Sequence, residues 1–225
     1  MTEPPTFVAV GYKGLRVRSS DLGMTWTDSQ TLGADGDNEF LLRAVSFGNG
    51  VFVALGWKVL SSPDGKTWTE GTNPQHQWLG GVQFSDAGFV AVGGYGYSAQ
   101  STDGIVWKVG GSVPNNEASR SLALGMNQFV SATDPGNWYK SSDGSSWTLL
   151  SGGHAGNQVA YCNGAFNELA TCTGAFNARG RATAQGVTLR LNNGKLERSP
   201  DGSVFSPVAD SPSGLEDLAV GYVKP

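Results

Sequence analysis

Charge is scarce in this sequence. Only 15% of its 225 residues are Asp, Glu, Lys or Arg, and the formal balance is -4. Without a basic surplus nothing draws a phosphate backbone, so nucleic acid is not an expected partner. No apolar run approaches the length that spans a bilayer, so no membrane partner is expected either. The opening MTEPPTFVAV has no basic start and no long apolar stretch, so a secretory leader is not expected. Cysteine is nearly absent: Cys162 and Cys172 make no disulfide scaffold and are expected as buried free thiols. Together these absences point to a protein of a reducing compartment, cytoplasmic or exported by a non-classical route. The two histidines, His76 and His154, lack zinc-ligand spacing. No G-x-S-x-G elbow and no P-loop occurs. No metal and no cofactor is expected.

Glycine is plentiful, at 33 residues, which suits short strands joined by tight turns. A phrase of Ser, Asp, Gly and an aromatic recurs five times: SSDLGMTW at 19–26, SPDGKTW at 62–68, STDGIVW at 101–107, SSDGSSW at 141–147 and SPDGSVF at 199–205. The copies lie roughly forty residues apart, the last interval being longer, and such periods signal propellers or solenoids. Each unit has one inner grammar. The second runs LRAVSFGNG, VFVALG, KVLSSPDG, TWTEG, four short strand-like pieces with Asn49-Gly50 as a hairpin turn. Four hairpin-linked strands repeated radially make a β-propeller blade. The N-terminal FVAVGY reads as a second strand and the C-terminal LEDLAVGYV as a first strand, so the two ends are expected to share one blade. The expectation is all-β: one domain over 1–225, a five-bladed β-propeller of four-stranded antiparallel blades. The blades fall near 7–27 with 214–224, 41–69, 79–108, 120–148 and 156–206, the last with an insertion near 165–190.

The phrase resembles the Asp-box (BNR) repeat, S-x-D-x-G-x-T-W. The resemblance implies a turn between third and fourth strands on the outer edge of the ring. Asp21, Asp64, Asp103, Asp143 and Asp201 are then expected to accept hydrogen bonds from their own turns. Trp26, Trp68, Trp107, Trp147 and Phe205 are expected to pack between sheets, each burial contributing about 2–3 kcal/mol. Many Asp-box enzymes are sialidases, which are six-bladed and need three arginines, a tyrosine nucleophile and its glutamate. No R-I-P motif is present. Arg43 and Arg120 share a first-strand position, but Gly80, Asn157 and Glu216 occupy it elsewhere, so no third arginine is expected and sialidase chemistry is disfavoured.

The aromatics outside the phrase are the candidate site. Trp57 and Trp138 fall in connections between second and third strands, and Trp78 falls between blades. All three map to the face around the channel mouth, where Tyr12, Tyr95 and Tyr97 join them. Arg43, Arg120 and His76 complete the ligand-binding set, with Asp37, Asn38, Asn115, Asn116, His154 and Asn157 as further polar groups. Two readings stand: rings that stack on a ligand, or rings that pack short turns against the next blade. Carboxylates near the mouth, Glu39, Glu117, Asp134, Glu216 and Asp217, are candidates for acid–base work, and no catalytic residue is assigned.

The fifth unit carries extra residues. Cys162-Asn163-Gly164-Ala165-Phe166-Asn167 is echoed by Cys172-Thr173-Gly174-Ala175-Phe176-Asn177. Either AFNELAT is the second strand and an insert near 173–190 sits on the mouth face with Arg179 and Arg181, or VTLRL is the second strand and the insert hangs opposite. The first register is preferred. The leading function is a carbohydrate-binding, lectin-like propeller with a carbohydrate or small-molecule ligand. An enzyme in the central mouth and a protein-interaction scaffold are the alternatives. The ligand and the oligomeric state stay open.

Overall fold

The computed structural model describes residues 4–33, 38–152, 154, 156–174 and 176–223; Asp37 lies outside them. The strands are β1 (Thr6–Gly11), β2 (Arg16–Ser19), β3 (Thr27–Gln30), β4 (Leu42–Gly48), β5 (Val51–Gly56), β6 (Val59–Ser62), β7 (Thr69–Glu70), β8 (Leu79–Ser85), β9 (Gly88–Gly93), β10 (Tyr97–Ser101), β11 (Lys108–Ser112), β12 (Ser119–Gly125), β13 (Gln128–Thr133), β14 (Trp138–Ser141), β15 (Thr148–Leu149), β16 (Val159–Cys162), β17 (Ala165–Glu168), β18 (Arg181–Ala184), β19 (Val187–Asn192), β20 (Lys195–Ser199), β21 (Ser206–Pro207) and β22 (Leu215–Gly221). Helix is confined to single 3-10 turns among the described residues. None is long and apolar enough to cross a membrane.

These strands form six antiparallel sheets, not five. Five have four strands: β22-β1-β2-β3, β4 to β7, β8 to β11, β12 to β15 and β18 to β21. The sixth has only β16 and β17. First strands touch in succession, β18 to β22 to β4 to β8 to β12 to β16. The extra residues of the fifth unit are therefore not a loop. The first half of the echo makes a two-stranded sheet, and the residues after it start a complete sheet. AFNE and VTLRLN are both second strands, each beside its own first strand. The two registers weighed from sequence were competing for one sheet where the chain builds two.

The termini meet as expected. β1 pairs β22 antiparallel, with Phe7 opposite Val220 and Val10 opposite Asp217. This zips β1 and β22 into one sheet by backbone pairing, with Phe7 and Ala9 packed in one cluster with Leu215 and Leu218. Asn49 and Gly50 both take positive φ, 48° and 78°, which a two-residue hairpin between β4 and β5 requires.

Three junctions between sheets share a knob-and-hollow packing. The first strands β22, β4 and β12 end on glycine, and an aromatic of the next sheet fills the space the missing side chain leaves. Phe47 lies on Gly221, Phe84 on Gly48 and Tyr161 on Gly125; a Cβ at Gly48 would stand 1.9 Å from the Phe84 ring. Alternation puts the other first- and second-strand side chains into apolar clusters between sheets. One unites Val53, Leu55, Phe89, Tyr97 and Trp107, all nearly inaccessible.

At the fifth position Cys162 and Cys172 are joined by a disulfide, with Cα atoms 6.0 Å apart. The expectation of free thiols is thus corrected. Two cysteines alone gave no sign of a scaffold, yet the turn Leu169–Thr171 brings the chain back onto the end of β16. With no third strand to cover it, that sheet is capped by the bond together with Leu169, Phe176 and Ala178. The reducing-compartment expectation loses the support the thiols gave it.

Candidate functional site

The five repeated phrases all make the same turn. Asp21 accepts the N–H groups of Met24 and Thr25. Asp64 accepts those of Lys66 and Thr67, Asp103 those of Ile105 and Val106, Asp143 those of Ser145 and Ser146, and Asp201 those of Ser203 and Val204. These turn N–H donors hold Asp103, Asp143 and Asp201 below the usual carboxylate range. In Asp21 and Asp64 partial burial opposes the charge, but the hydrogen bonds outweigh it. The glycine of each phrase has φ between 72° and 79°, where other residues are strained. Trp107 and Trp147 are buried. Trp26, Trp68 and Phe205 are half-buried. Trp68 and Trp107 donate Nε1–H to the glycine carbonyl of their own turn.

The mouth-face aromatics separate into three groups. Trp138 is 1% exposed, stacks on His154 at 3.9 Å and donates to the Gly156 carbonyl. Tyr97 is 3% exposed, and burial pushes its phenol upward. Neither ring is presented to a ligand: Trp138 is covered by His154 from the connection that follows its sheet, and Tyr97 packs in the cluster with Val53, Leu55 and Trp107. Tyr12 and Tyr95 are exposed on single 3-10 turns. Trp57 and Trp78 are half-buried, and each has a built environment.

Trp78 lies beneath two guanidiniums. Arg43 stands 5.2 Å and Arg120 4.5 Å from its ring centre. A third arginine joins them. Counting back from the Gln185-Gly186 hairpin as from Asn49-Gly50, Arg179 holds the position of Arg43 and Arg120, against the expectation that none exists. It donates to the carbonyls of Gly80 and Arg120 at 3.1 and 2.5 Å and pairs with Glu216 at 3.1 Å. It thus bridges three sheets across the mouth. Arg120 is held by both oxygens of Asp134, at 2.6 and 2.7 Å. Burial and the like charge of Arg120 push Arg43 downward, and its Nε is buried without a partner. Two of the three guanidiniums are thus spent on the protein's own acceptors, so the centre is not an open clamp for a carboxylate.

Below them Asp217 lines the channel and ties three sheets. It accepts N–H from Val45 at 2.9 Å, Gly180 at 2.6 Å and Leu218 at 2.8 Å. Burial pushes its carboxyl up to about 6, although Arg179 and these donors pull the other way. Glu117 accepts from Thr133, Asn137 and Tyr139. Partial burial opposes its charge, and these bonds outweigh that and lower it. The candidate carboxylates are therefore structural acceptors or ion-pair partners, and Glu39 is set in an open groove. Among the described residues no cluster of three or more His, Cys, Asp or Glu is placed to hold a metal.

That groove, about 790 Å³, is walled by Glu39, Trp57, Lys58, Glu70, Asn73 and His76. Its shape is held by Asn73, which donates to the Trp57 and Gln77 carbonyls at 3.1 and 2.7 Å. Lys58 donates to Glu70 at 3.0 Å, with Glu39 at 3.9 Å; the hydrogen bond it gives Glu70 raises its ammonium. His76 is exposed at φ 51°. Sequence had placed Trp57 and His76 on this face. It missed Glu70 and Asn73, whose roles depend on how the chain turns from β7 toward β8. Asn38 also borders the groove. Asn115 and Asn116 lie on an exposed 3-10 turn and Asn157 beside β16, none of them near Trp57's groove.

No family model matches this chain and no curated protein matches it. Solved structures do. YCF48 bound to D1 peptide aligns over 97% of this chain and 89% of its own, at 14% identity and TM-score 0.56. A protein of unknown function from Bacteroides caccae aligns over 96% and 98%, at 9% identity and TM-score 0.63. Virginiamycin B lyase from Staphylococcus aureus aligns over 92% and 86%, at 11% identity and TM-score 0.53. At these identities the likeness defines the fold and nothing more: the chain is an all-β propeller.

Proposed function

We propose that the chain is a carbohydrate-binding propeller whose ligand lies in the Trp57 groove. One observation carries this reading. A half-exposed indole forms the apolar wall of a roomy groove whose other walls are an amide, two carboxylates, an ammonium and an imidazole. A sugar ring offers one apolar face to such an indole and hydroxyls to such polar groups. Few apolar contacts with a few placed polar ones are what small-ligand sites use. The reading narrows the site from a circle of mouth aromatics to one groove. Sites repeated around the ring are disfavoured, since the equivalent rings at Tyr97 and Trp138 are buried. In the same reading the five turns are Asp-box repeats that serve the scaffold, and the ring counts six blades, the fifth reduced to two strands.

A broad glycan array probed with the purified chain tests this. A hit competed away by the free sugar and absent from Trp57→Ala supports the groove. A blank array, or a hit that Trp57→Ala retains in full, contradicts it.

A further inference from the structure

The reduced fifth sheet leaves a second groove, remote in the chain from Trp57. It measures about 440 Å³ and lies between the two-stranded sheet and the last four-stranded one. Leu169, Phe176 and Leu191 give it apolar walls, and Arg181, Arg190 and Glu216 border it. The arginines are unusual in their partners. Arg181 is only 8% exposed. Its guanidinium lies 4.4 Å from the Phe176 ring centre and 5.0 Å from that of Phe205. It donates to the Gly174 carbonyl, and its Nε has no partner. No carboxylate among the described residues pairs with it. Arg190 sits 3.9 Å from the same Phe205 ring and pairs with Glu197 at 2.6 Å. Two guanidiniums therefore flank one phenyl ring, and of the two only Arg190 has a carboxylate partner. A buried cation without a counter-charge is costly, and burial together with repulsion from Arg190 disfavours the charge of Arg181. The sequence has Phe at 205 where the other four phrases have Trp, and this phrase alone carries two guanidiniums on its aromatic.

We propose that this groove binds a small organic acid. Its apolar body lies against Leu169, Phe176 and Leu191, and its carboxylate supplies the anion that Arg181 and Arg190 lack between them. Shape and charge both enter the choice: Leu169, Phe176 and Leu191 offer apolar contact that a bare inorganic anion leaves unused, and the positive end has no use for a neutral lipid-like body. The site is independent of the Trp57 reading and survives if that reading fails.

The test compares acids with their neutral amides on the intact, disulfide-bonded chain. Hexanoate, phenylacetate and 4-phenylbutyrate are titrated beside hexanamide, phenylacetamide and 4-phenylbutanamide by calorimetry or ligand-observed NMR. The expected result is saturable binding of at least one acid, at least about tenfold tighter than its amide and weakened by salt. Arg190→Gln loosens it severalfold. Glu197→Gln, which removes the competing carboxylate, tightens it, an effect of the opposite sign that a misfolded variant does not produce. Trp57→Ala leaves it unchanged. Binding of none of the acids, equal binding of acid and amide, or weaker binding in Glu197→Gln overturns the proposal.

Discussion

Reducing the bond between Cys162 and Cys172 is the perturbation that reaches the least regular part of the ring. The bond closes a short loop, with a sequence separation of 10. By the chain-entropy estimate a loop of this length restrains the unfolded chain by about 3 kcal/mol. The sheet it caps has two strands where its neighbours have four, so the bond is a principal tie of Leu169 to Cys172 onto β16. For a chain of this size, about 3 kcal/mol corresponds to a fall in Tm of roughly 6–12 °C. The assay is a pair of thermal melts, oxidised and fully reduced, with thiol titration of the native protein to establish the starting state. The double variant Cys162→Ala with Cys172→Ala should melt with the reduced protein. Hydrogen exchange should quicken first in β16 and β17, while β4 and β8 keep their protection. Two free thiols in the air-oxidised native protein, or a Tm change under about 1 °C, would refute the assignment of the bond as the cap of this sheet.

Three further outcomes follow from the packing and charge of the ring. Trp107→Ala removes a 4%-exposed indole from the cluster around Phe89 and should cost about 3–5 kcal/mol in urea unfolding; a cost under 1 kcal/mol would show that the turn aromatics do not hold the sheets together. Gly48→Ala drives a methyl into Phe84 at 1.9 Å and should cost about 1–3 kcal/mol, most of it recovered in Gly48→Ala with Phe84→Leu. The pH profile turns on Asp217. Its folded value of about 6 exceeds the ordinary 3.8, so the native state holds the proton more tightly than the unfolded chain. Its contribution therefore grows as pH falls from 7 toward 4, by at most about 3 kcal/mol. The turn aspartates are held low, and their contribution is lost only as pH falls below about 4. Stability should peak at roughly pH 4–5.5, and urea midpoints that rise steadily from pH 4 to 8 would contradict this.

Much of the scaffold is legible in the residues. Asn49-Gly50 announces a hairpin because both positions tolerate positive φ, and the short apolar VFVALG beside it announces a strand. The shared terminal sheet follows from the likeness of FVAVGY to a second strand. The fifth unit was not legible as two sheets, because its internal echo and its short strands look like an insertion in one. The Gln185-Gly186 turn held the needed signal. Counting back from it puts Arg179 in register with Arg43 and Arg120 and separates a full sheet from a half one. The disulfide was hidden for the same reason, since it replaces strands that the regular units possess. At the mouth, Tyr12, Trp57, Trp78 and Tyr95 lie on connections as read from sequence, whereas Tyr97 and Trp138 open the third strands β10 and β14, and exposure was legible at none of them. Trp138 is covered by His154, from the connection that follows its sheet, and Tyr97 by its own cluster. Those contacts depend on how sheets lean on one another. Asn73 and Glu70 escaped notice because each is an ordinary polar residue whose value lies in bonding the Trp57 carbonyl and Lys58.

The most direct measurement of the central claim is a pair of binding isotherms, wild type and Trp57→Ala, against the best competing saccharide from the array. If the Trp57 groove is the site, the variant folds with the wild-type Tm to within a few degrees and loses about 1–3 kcal/mol of affinity, a weakening of roughly 5- to 150-fold. Equal isotherms for the two proteins would place the ligand elsewhere and contradict the assignment.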